Sequence, residues 1–592
     1  MITPRPRLLL SGPAATATAV VVLIAGAYAA AQRAGFAGDD FMILHRLQAL
    51  RHPTDVLGFF HGEFFGYYRP FGFLAHAFDW AVAGADARRF HQTNIVLHAV
   101  SALLVLLIGR ELAPRSAAGA IAALLFALHA SNHEAVVWIS ARFDLLATCF
   151  SLAAVWWMVR GAAGEHVVPP LLFLCALLSK ESAVALPIAA AGFAVCGLRL
   201  GPARAVRYLV PWLAALVVYS VMRHLGGGVS AIGGSGRLPK LAAFAALLAL
   251  LVFVAGERRL RVRQWLLTHR GAALAAAAGL VATVCAAAAA GGGVGRIAAE
   301  KLAVAGFALF HLGSPVLDVF DFPFYLNEGT TMYWLGGAIA LGALGAVVAV
   351  LWRPLVDDDR LWFLGSLLAA AMLPISALTE GTRYLYLPSA ALSLMVGVLG
   401  SGVRGRARVP ALALLGVYLA VSGAQVVAKV RDWNWAGRMI AEGAQIADDA
   451  LAPSCGEGHI VFLTEPVAVR SVYTHFLYET FEPPRGCMPA TFQVLLRMMR
   501  VDGAVDVSRD GPSRIVMTVP GYRDNFVASA DLRNFDRPIR GDAPMAIDTP
   551  LGQVRAERIG ADEHLTLTLA PDADPSRIHF FYYSVGRMRR LN

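Results

Sequence analysis

The chain carries few charges and almost no lysine. Only 16% of its 592 residues are charged, against about 25% in ordinary soluble domains. Among 51 basic residues only four are lysines. Hydrophobic residues make up 57% of the chain, and the mean hydropathy is +0.58. This composition excludes a chain made only of soluble globular domains. The preference for arginine, with abundant alanine and glycine, indicates a GC-rich bacterial genome.

The chain also has few cysteines, and none shows the Cys/His spacing of a zinc site. Four of the six lie in apolar runs, where cysteine behaves as a small core residue: Cys149, Cys175, Cys196 and Cys285. The other two, Cys455 and Cys487, lie in the polar C-terminal part. They would form a disulfide if that part is extracytoplasmic.

Long uncharged runs recur between Leu8 and Val427. Lipid cannot satisfy backbone N–H and C=O groups, so such runs are expected to cross the membrane as helices. The first run is longer than the roughly 7–15 residues of a signal-peptide core, and we predict an uncleaved span there. Thirteen spans are predicted, at 8–31, 91–109, 116–130, 143–159, 167–179, 183–198, 208–222, 241–256, 271–290, 332–352, 361–378, 384–400 and 409–427.

The basic loops orient these spans. Arg5 and Arg7 place the N-terminus in the cytoplasm, and the arginine-rich loops then fall on the same side. These loops account for the net charge of +10, so nucleic acid is not a predicted partner. We assign 296–317 as a re-entrant or interfacial helix, because it opens with charged residues. The count predicts a multi-pass protein of a bacterial inner membrane with its C-terminal region in the periplasm.

The expected fold class is a polytopic α-helical membrane protein with a C-terminal α/β soluble domain. The transmembrane domain is predicted over 1–428, with a first periplasmic loop at 32–90, and the periplasmic domain over 429–592. Alternating and β-branched runs in the latter predict four strands and two helices. The strands are expected at 460–463, 514–519, 564–569 and 578–583, and the helices at 466–480 and 490–500.

Two adjacent acids, Asp39 and Asp40, follow the first span. A carboxylate at a membrane surface can act as general base on a hydroxyl, or hold a divalent cation such as Mg²⁺ or Mn²⁺. The alternative is an N-cap pair for a helix that starts at Phe41.

A second outer loop places Glu134, Arg142 and Asp144 beside apolar helices. Charges at membrane depth are costly unless paired or hydrated, so each is a functional candidate. The alternative is a structural pair of Arg142 with Asp144 or with Glu134. His129 and His133 have the i, i+4 spacing of a helical metal site, but no third ligand lies nearby in the sequence.

Two further motifs carry cations. Lys180 and Glu181 interrupt an apolar stretch, and Lys180 suits a lipid phosphate, unless the two form a neutral pair at a hairpin tip. Arg383 precedes a span, where it can bind phosphate bidentately or snorkel to the interface. Tyr384 and Tyr386 can line a sugar site or belong to an aromatic belt.

All these motifs fall on the predicted outer face. Acids and cations together suit the attack of a hydroxyl on a sugar whose leaving group is a lipid phosphate. Because phosphate leaves readily, no second carboxylic acid is needed, in contrast to glycoside hydrolysis. One base and one or more cations suffice.

The motifs occur in an order known from one family. They are Asp39-Asp40, Tyr68-Arg69-Pro70, Asn94 with His98, His133-Glu134-Ala135-Val136 to Arg142-Phe143-Asp144, Ser179-Lys180-Glu181 and Arg383-Tyr384-Leu385-Tyr386-Leu387-Pro388-Ser389. In this set the chain resembles the membrane O-mannosyltransferase-like proteins with transmembrane and tetratricopeptide segments. It is similar more broadly to the GT-C glycosyltransferases, which include protein O-mannosyltransferases and the aminoarabinose transferases of lipid A. The resemblance covers about 30–430.

The resemblance implies a polyprenyl-phosphate sugar donor, an extracytoplasmic acceptor, inversion at the anomeric carbon and a catalytic acid in the first outer loop. Only Asp39 and Asp40 match that acid. Arg142, Lys180 and Arg383 match motif positions, and we infer that they bind the donor phosphate. The candidates for substrate binding are Tyr68, Arg69, His133, Glu134, Asp144, Glu181, Tyr384 and Tyr386.

The chain departs from that family in two ways. His129 is followed by Ala130, where the family often has proline, and the tetratricopeptide region is absent. The acceptor therefore stays open between a protein hydroxyl, a glycan and a lipid. Two other functions stay open as well: a transporter or flippase of lipid-linked saccharides, and a non-catalytic membrane scaffold. The internal repeats typical of many transporters are not evident in the sequence.

Overall fold

The structure is a computed structural model, and it describes most of the chain. The described residues are 13–62, 67–226, 263–272, 275, 308–309, 311–315, 342, 345–346, 348–374, 381–466, 468–469, 472–473, 489–498, 504–520, 526–527, 537–538, 544–549, 551–559, 562–585 and 587–591.

The chain divides into two compact units. The helical unit comprises 1–29 and 50–429, and the C-terminal unit comprises 30–49 and 430–592. The segment 30–49, which belongs to the predicted first loop, thus groups with the C-terminal residues. Two glycines allow this packing, because a Cβ on Gly437 would lie only 2.6 Å from the backbone nitrogen of Gly35.

Fourteen α-helices are labelled here in chain order. They are α1 (Pro13–Ala27), α2 (Asp40–Gln48), α3 (Pro70–Ala83), α4 (Ala87–Leu112), α5 (Ala118–Ala127), α6 (His133–Val137), α7 (Arg142–Arg160), α8 (Val168–Ser179), α9 (Leu186–Gly192), α10 (Pro202–Leu225), α11 (Trp352–Asp357), α12 (Asp359–Met372), α13 (Tyr386–Ser401) and α14 (Arg408–Leu451). Proline at the first helical position, where its missing N–H costs nothing, begins α3 and α10.

The helical unit has the form of a multi-pass membrane protein. Among the described residues, five helices are long and apolar enough to cross a bilayer, and the pair α5 and α6, bent by 52°, is a candidate for a sixth. The five are Ala87–Leu112, Ile139–Arg160, Pro202–Leu225, Thr382–Ser401 and Gly405–Leu451. The predicted spans 241–256, 271–290 and 332–352, and the re-entrant segment 296–317, lie wholly or mostly outside the described residues.

Small residues bring three helices of this unit close together. Helix α5 packs against both α4 and α13. A Cβ on Gly109 would lie 2.6 Å from the Cα of Gly119, and one on Gly119 would lie 2.5 Å from the carbonyl oxygen of Leu106. At the other contact, a Cβ on Gly397 would lie 2.4 Å from the carbonyl oxygen of Ala118. Within a bilayer the hydrophobic effect does not drive helices together, because lipid is as apolar as their side chains. Close backbone approach of this kind stabilises their association through van der Waals packing.

The packing of the remaining helices brings several helix ends together. Helix α7 packs on α4 and α8, and α8 packs on α10, where the rings of Phe173 and Trp212 are 5.5 Å apart. Helix α12 packs on α9 and α13. The start of α7, the end of α8 and the 3₁₀ turn Thr382–Leu385 before α13 are where the predicted charged residues lie.

The C-terminal unit contains the sheets. The strands are β1 (His459–Pro466), β2 (Ala468–Val469), β3 (Val472–Tyr473), β4 (Thr491–Met498), β5 (Asp506–Arg509), β6 (Arg514–Pro520), β7 (Phe526–Val527), β8 (Arg537–Pro538), β9 (Met545–Thr549), β10 (Gly552–Ile559), β11 (Asp562–Leu569), β12 (Ile578–Ser584) and β13 (Arg587–Leu591). One sheet has the order β13-β12-β1-β4-β7-β8, with β1 parallel to β12 and β4. The second, β5-β6-β11-β10-β9, is antiparallel, and β2 pairs with β3.

All four predicted strands are present, as β1, β6, β11 and β12. The predicted helix at 490–500 is wrong, because this segment forms β4 in the middle of the sheet. Its Leu, Met and Gln residues favour a helix locally, and pairing with β1 overrides that preference. Most of the predicted helix 466–480 lies outside the described residues.

Cys455 is disulfide-bonded. Its partner lies outside the described residues, where Cys487 also falls. Pairing with Cys487 therefore stays a prediction.

The contact between α4 and α5 can be tested by adding one methyl group. Gly119→Ala should lower the free energy of unfolding by about 1–3 kcal/mol, the usual cost of overpacking. The measurement is thermal unfolding of the purified protein in detergent. Gly416→Ala is the matched control, because nothing lies within 4 Å of its added Cβ. Equal melting temperatures for the two variants would contradict the close approach.

Candidate functional site

Glu134 and Arg383 form the first of three ion pairs in which both partners are predicted site residues. Glu134, which lies on α6, is only 7% exposed. Its Oε2 accepts hydrogen bonds from the Thr382 hydroxyl and the Arg383 backbone N–H, both at 2.9 Å, and its Oε1 accepts from the Arg383 guanidinium. Gly381 makes room for the pair, since a Cβ there would lie 2.4 Å from Nη1 of Arg383. Three hydrogen bonds thus hold this carboxylate to the turn before α13.

The second ion pair joins Lys180, at the end of α8, to Asp144, in the first turn of α7. The Lys180 ammonium lies 2.7 and 2.6 Å from the two carboxylate oxygens. Both side chains are buried. An ammonium has three N–H donors, and the Asp144 carboxylate takes at least one of them.

The third pair joins Arg69, just before α3, to Glu181. Nε of Arg69 donates to Oε2 of Glu181 at 2.9 Å, and Nη2 donates to Oε1. Burial alone lowers the pKa of Arg69, but the attraction of Glu181 outweighs it and raises the pKa above its ordinary value. Lys180 and Glu181 therefore each pair with another part of the chain, not with one another.

Tyr384 links two of these pairs. The Lys180 ammonium lies 4.5 Å from the centroid of the Tyr384 ring, and the Arg383 guanidinium carbon lies 4.6 Å from it. The Arg383 guanidinium also donates to the Tyr384 hydroxyl at 3.2 Å and lies 4.6 Å from the Trp138 ring. Two cations thus lie close to one aromatic ring, an arrangement that stabilises positive charge.

A small cleft of about 30 Å³ opens beside this cluster. It is lined by Asp144, Ala147, Thr148, Ser151, Ser182, Ala183, Ala371, Pro374, Arg383, Tyr384 and Leu387. The Ser151 hydroxyl is buried and has no hydrogen-bond partner among the described residues. A few convergent polar groups in an otherwise apolar cleft are typical of a ligand site.

Arg142 does not belong to this cleft. Its guanidinium is 0% exposed and donates to Asn94 Oδ1 at 2.8 Å and to the carbonyl oxygens of Ala75 and Phe90 at 2.9 and 2.8 Å. Its Nη1 also lies 2.7 Å from Oδ2 of Asp79. Because protein acceptors engage every guanidinium nitrogen, we assign Arg142 the structural task of joining α3 and α4 to α7, in place of the predicted phosphate contact. Neither alternative pair, with Asp144 or with Glu134, is formed.

Three other predicted substrate-binding residues are also turned inward. Tyr68 and Tyr386 are each 1% exposed. The Tyr68 hydroxyl donates to the carbonyl oxygen of residue 60 at 3.3 Å, and the Tyr386 hydroxyl lies 2.7 Å from Nδ1 of His98. His133 is 6% exposed, and its Nδ1 lies 2.9 Å from the carbonyl oxygen of residue 130. These contacts stabilise the bundle, and none of the three residues lines the cleft.

The break between α5 and α6 positions Glu134. The carbonyl oxygens of residues 126–128, at the end of α5, have no partner within the helix. They are bonded instead to Asn132 at 2.9 Å, His98 at 3.1 Å and Ser422 at 2.7 Å, in that order. The Ser422 hydroxyl also accepts from the backbone N–H of Ala130 at 2.9 Å. The sequence gives no sign of this role, since Ser422 is a lone serine within an apolar span.

Asp39 and Asp40 lie in the C-terminal unit. Helix α2 begins at Asp40, one residue before the predicted start, and Asp39 is its N-cap residue but makes no side-chain capping bond. Asp40 is 2% exposed, and its Oδ2 accepts from the Ala37 backbone N–H at 2.9 Å. Asp39 is partly exposed. The two acids therefore differ in their access to a ligand.

The predicted histidine pair does not suit a metal. Nε2 of His129 lies 2.9 Å from the carbonyl oxygen of Leu312, and its Nδ1 lies 2.9 Å from the Ser131 hydroxyl. Within the described part of the chain, no three His, Cys, Asp or Glu side chains form a possible metal site.

The fold and the site together define a multi-pass helical membrane protein with a cleft lined by Asp144, Arg383 and Tyr384. No protein-family model matches the chain. A segment of 123 residues, 20% of the chain, is 32% identical to protein O-mannosyl-transferase Tmtc1 of Drosophila melanogaster, and 147 residues are 29% identical to protein O-mannosyl-transferase TMTC3 of Mus musculus. The chain spans 14% and 16% of these relatives. The resemblance to O-mannosyltransferase-like proteins is therefore confirmed, over about a fifth of the chain.

Two solved structures show a weaker likeness. The Archaeoglobus fulgidus oligosaccharyltransferase tethered with an acceptor peptide has a TM-score of 0.42 and 13% identity, covering 70% of this chain and 55% of that one. ArnT from Cupriavidus metallidurans bound to undecaprenyl phosphate has a TM-score of 0.37 and 12% identity, covering 78% and 84%. At these scores the likeness supports no inference about substrate.

The role of Ser422 can be tested by removing its hydroxyl. Ser422→Ala leaves a buried carbonyl and a buried N–H without a partner, and should lower the free energy of unfolding by about 1–3 kcal/mol. Thermal unfolding in detergent measures this loss. Ser220→Ala is the matched control, because the Ser220 hydroxyl bonds only within its own helix, to the carbonyl of residue 216. A loss no larger than that of the control would show that Ser422 does not hold the break.

Proposed function

We propose that the chain is a membrane glycosyltransferase that moves a sugar from a polyprenyl-phosphate donor to an extracytoplasmic hydroxyl, with inversion at the anomeric carbon. The observation that carries the proposal is the pair of cations, Lys180 and Arg383, beside the Tyr384 ring. Arg383, Tyr384 and the Lys180 partner Asp144 line the cleft. Sequence similarity to protein O-mannosyl-transferases supports it independently.

The two cations suit a lipid phosphate in complementary ways. The planar Arg383 guanidinium matches phosphate geometry, and Lys180 supplies a compact charge on a flexible stem. Of the three Lys180 N–H donors, we assign to a phosphate oxygen those that the Asp144 carboxylate does not take. The Ser151 hydroxyl offers a further polar contact in the same cleft.

The reaction needs one base and one charged leaving group. A carboxylate removes the proton from the acceptor hydroxyl, whose oxygen attacks the anomeric carbon on the face opposite the phosphate. The bond between the sugar and the phosphate oxygen breaks, and the lipid phosphate leaves with the electron pair. Lys180 and Arg383 stabilise the negative charge that develops there. We assign Asp39 as the base, because Asp40 is buried and already accepts a backbone N–H.

The compartment belongs to the same proposal. A disulfide at Cys455 is consistent with an oxidising environment for the C-terminal unit, which also carries Asp39. We place this unit in the periplasm and the helical unit in a bacterial inner membrane. The proposal leaves the donor sugar and the acceptor open.

Sugar transfer can be tested with variants that replace Asp39 and Asp40 one at a time. Proteoliposomes supplied with a radiolabelled polyprenyl-phosphate sugar and cell-envelope acceptors should release polyprenyl phosphate and label an acceptor. Asp39→Asn should lower kcat by roughly 10²–10⁴-fold, the usual contribution of a general base. Asp40→Asn should keep at least about a tenth of the activity, because the amide oxygen can still accept the Ala37 N–H.

Each other outcome of this assay has a clear meaning. Full activity in Asp39→Asn and loss in Asp40→Asn would move the base to Asp40. Full activity in both variants would exclude these acids as the base. Movement of the labelled donor across the bilayer with no transfer product would favour a transporter. Thermal unfolding of each variant serves as the folding control.

A double variant separates the structural and functional roles of Lys180. Lys180→Gln alone strands the Asp144 carboxylate in a buried site, which should cost about 3–5 kcal/mol of stability. Lys180→Gln with Asp144→Asn removes both charges, so most of that stability should return. If Lys180 binds the donor phosphate, the double variant should still show a KM for the donor raised by about tenfold or more.

Recovery of both stability and KM in the double variant would show that the pair is only structural. Arg514→Gln with Asp510→Asn is the matched control. It removes an exposed pair at 2.9 Å in the C-terminal unit and should change neither quantity.

A further inference from the structure

A second, larger cavity of about 510 Å³ lies in the helical unit. It is lined by Glu165, His166, Leu198, Leu200, Arg204, Arg207, Tyr208 and Pro211. These residues come from the segment before α8, the segment before α10 and the first turns of α10. None of them takes part in the ion pairs or the cleft described above.

This cavity lies at the other end of α8 from the candidate site. His166 precedes the first residue of α8, and Lys180 follows the last. A helix of 12 residues is about 18 Å long. Helix α10 runs the same way, from the cavity at Tyr208 to Tyr219, whose ring lies 6.2 Å from that of Tyr68 beside Arg69. The two sites therefore face opposite ends of the bundle.

The polar groups that line the cavity are not all hydrogen-bonded or ion-paired within the described residues. Tyr208 is 3% exposed, and its buried hydroxyl has no hydrogen-bond partner among the described residues. A buried hydroxyl without a partner is uncommon, because leaving it so costs free energy. Arg204 and Arg207, one helical turn apart, are exposed and make no ion pair within the described part of the chain. The phenol and both arginines can donate to the same anion.

The rest of the lining is apolar and open to lipid. Leu198, Leu200 and Pro211 form part of the wall. Helix α10 is long and apolar enough to cross a bilayer, and it leaves Val210 55% exposed and Val217 54% exposed. An exposed apolar face on such a helix contacts acyl chains. A ligand that reaches the cavity along this face would carry both an anionic head and an apolar tail.

We propose that this cavity binds an anionic phospholipid of the bilayer, with the phosphate on Arg204, Arg207 and Tyr208 and an acyl chain along Leu198 and Leu200. On the predicted orientation it lies at the cytoplasmic leaflet. This binding does not depend on the proposed glycosyltransferase activity.

The remaining charges favour a phosphodiester over free phosphate. Glu165 lies 3.7 Å from His166 and contributes one negative charge to the lining. With two arginines and one carboxylate, the lining carries one net positive charge, which a monoanionic phosphodiester neutralises.

Native mass spectrometry with added lipid tests the proposal. The purified protein should bind dioleoylphosphatidylglycerol more tightly than dioleoylphosphatidylcholine. Arg204→Gln with Arg207→Gln should raise the apparent Kd for phosphatidylglycerol by roughly 30-fold, the effect expected for two arginines at a lipid surface. Tyr208→Phe, which keeps the ring, should raise it by about fivefold.

Arg404→Gln with Arg406→Gln is the matched control, because it removes the same charge from exposed arginines that do not line the cavity. An equal loss of lipid affinity in both double variants would show that the effect comes from net charge alone, and would overturn the proposed site. Equal affinity for the two lipids would overturn the choice of an anionic ligand. Displacement of the lipid by millimolar inorganic phosphate would make this a site for a free anion.

Discussion

The helical unit depends on one constraint: a charge within an apolar bundle must be neutralised and hydrogen-bonded. The pairs that satisfy it join distant parts of the chain. Arg69 and Glu181 are 112 residues apart, and Arg383 and Glu134 are 249 apart. Each pair therefore sets the position of a loop relative to a helix end. A buried ion pair often adds little stability beyond what apolar residues of the same size would give. Three such pairs, two of which contribute a residue to the cleft, fit the donor-phosphate site proposed above.

The sequence identifies which residues matter better than it identifies their partners. Lys180, Glu134 and Arg383 stand out because they interrupt apolar runs, and this signal is local. Their partners are decided by tertiary packing, which no local pattern encodes. Arg142 shows the consequence. In the sequence it has the same pattern as Arg383, yet acceptors from two helices engage all its guanidinium nitrogens. One of these acceptors is Asp79, an acid that the sequence patterns did not single out.

The same limit applies to the fold. Long apolar runs and alternating strands were predictable, because hydrophobic periodicity is a local property. Strand β4 was not, since its residues prefer a helix until the neighbouring strands pair with it. The break between α5 and α6 also escaped prediction. It depends on Ser422, His98 and Asn132 meeting the carbonyl oxygens of residues 126–128, which only the packed bundle brings together.

The cations at the two ends of α8 differ in burial and in pairing, and this difference matches the two functions proposed above. At the Lys180 end every named cation has a carboxylate partner and is buried or half-buried, so a ligand must compete with an existing ion pair. Competition of this kind gives selectivity, because only a group with well-placed anionic oxygens can replace the contacts. At the other end Arg204 and Arg207 are exposed, so an anion binds there without displacing a partner. Paired cations suit a reaction site, because the leaving group must be released after each turnover. Exposed arginines suit a site that retains a bilayer lipid.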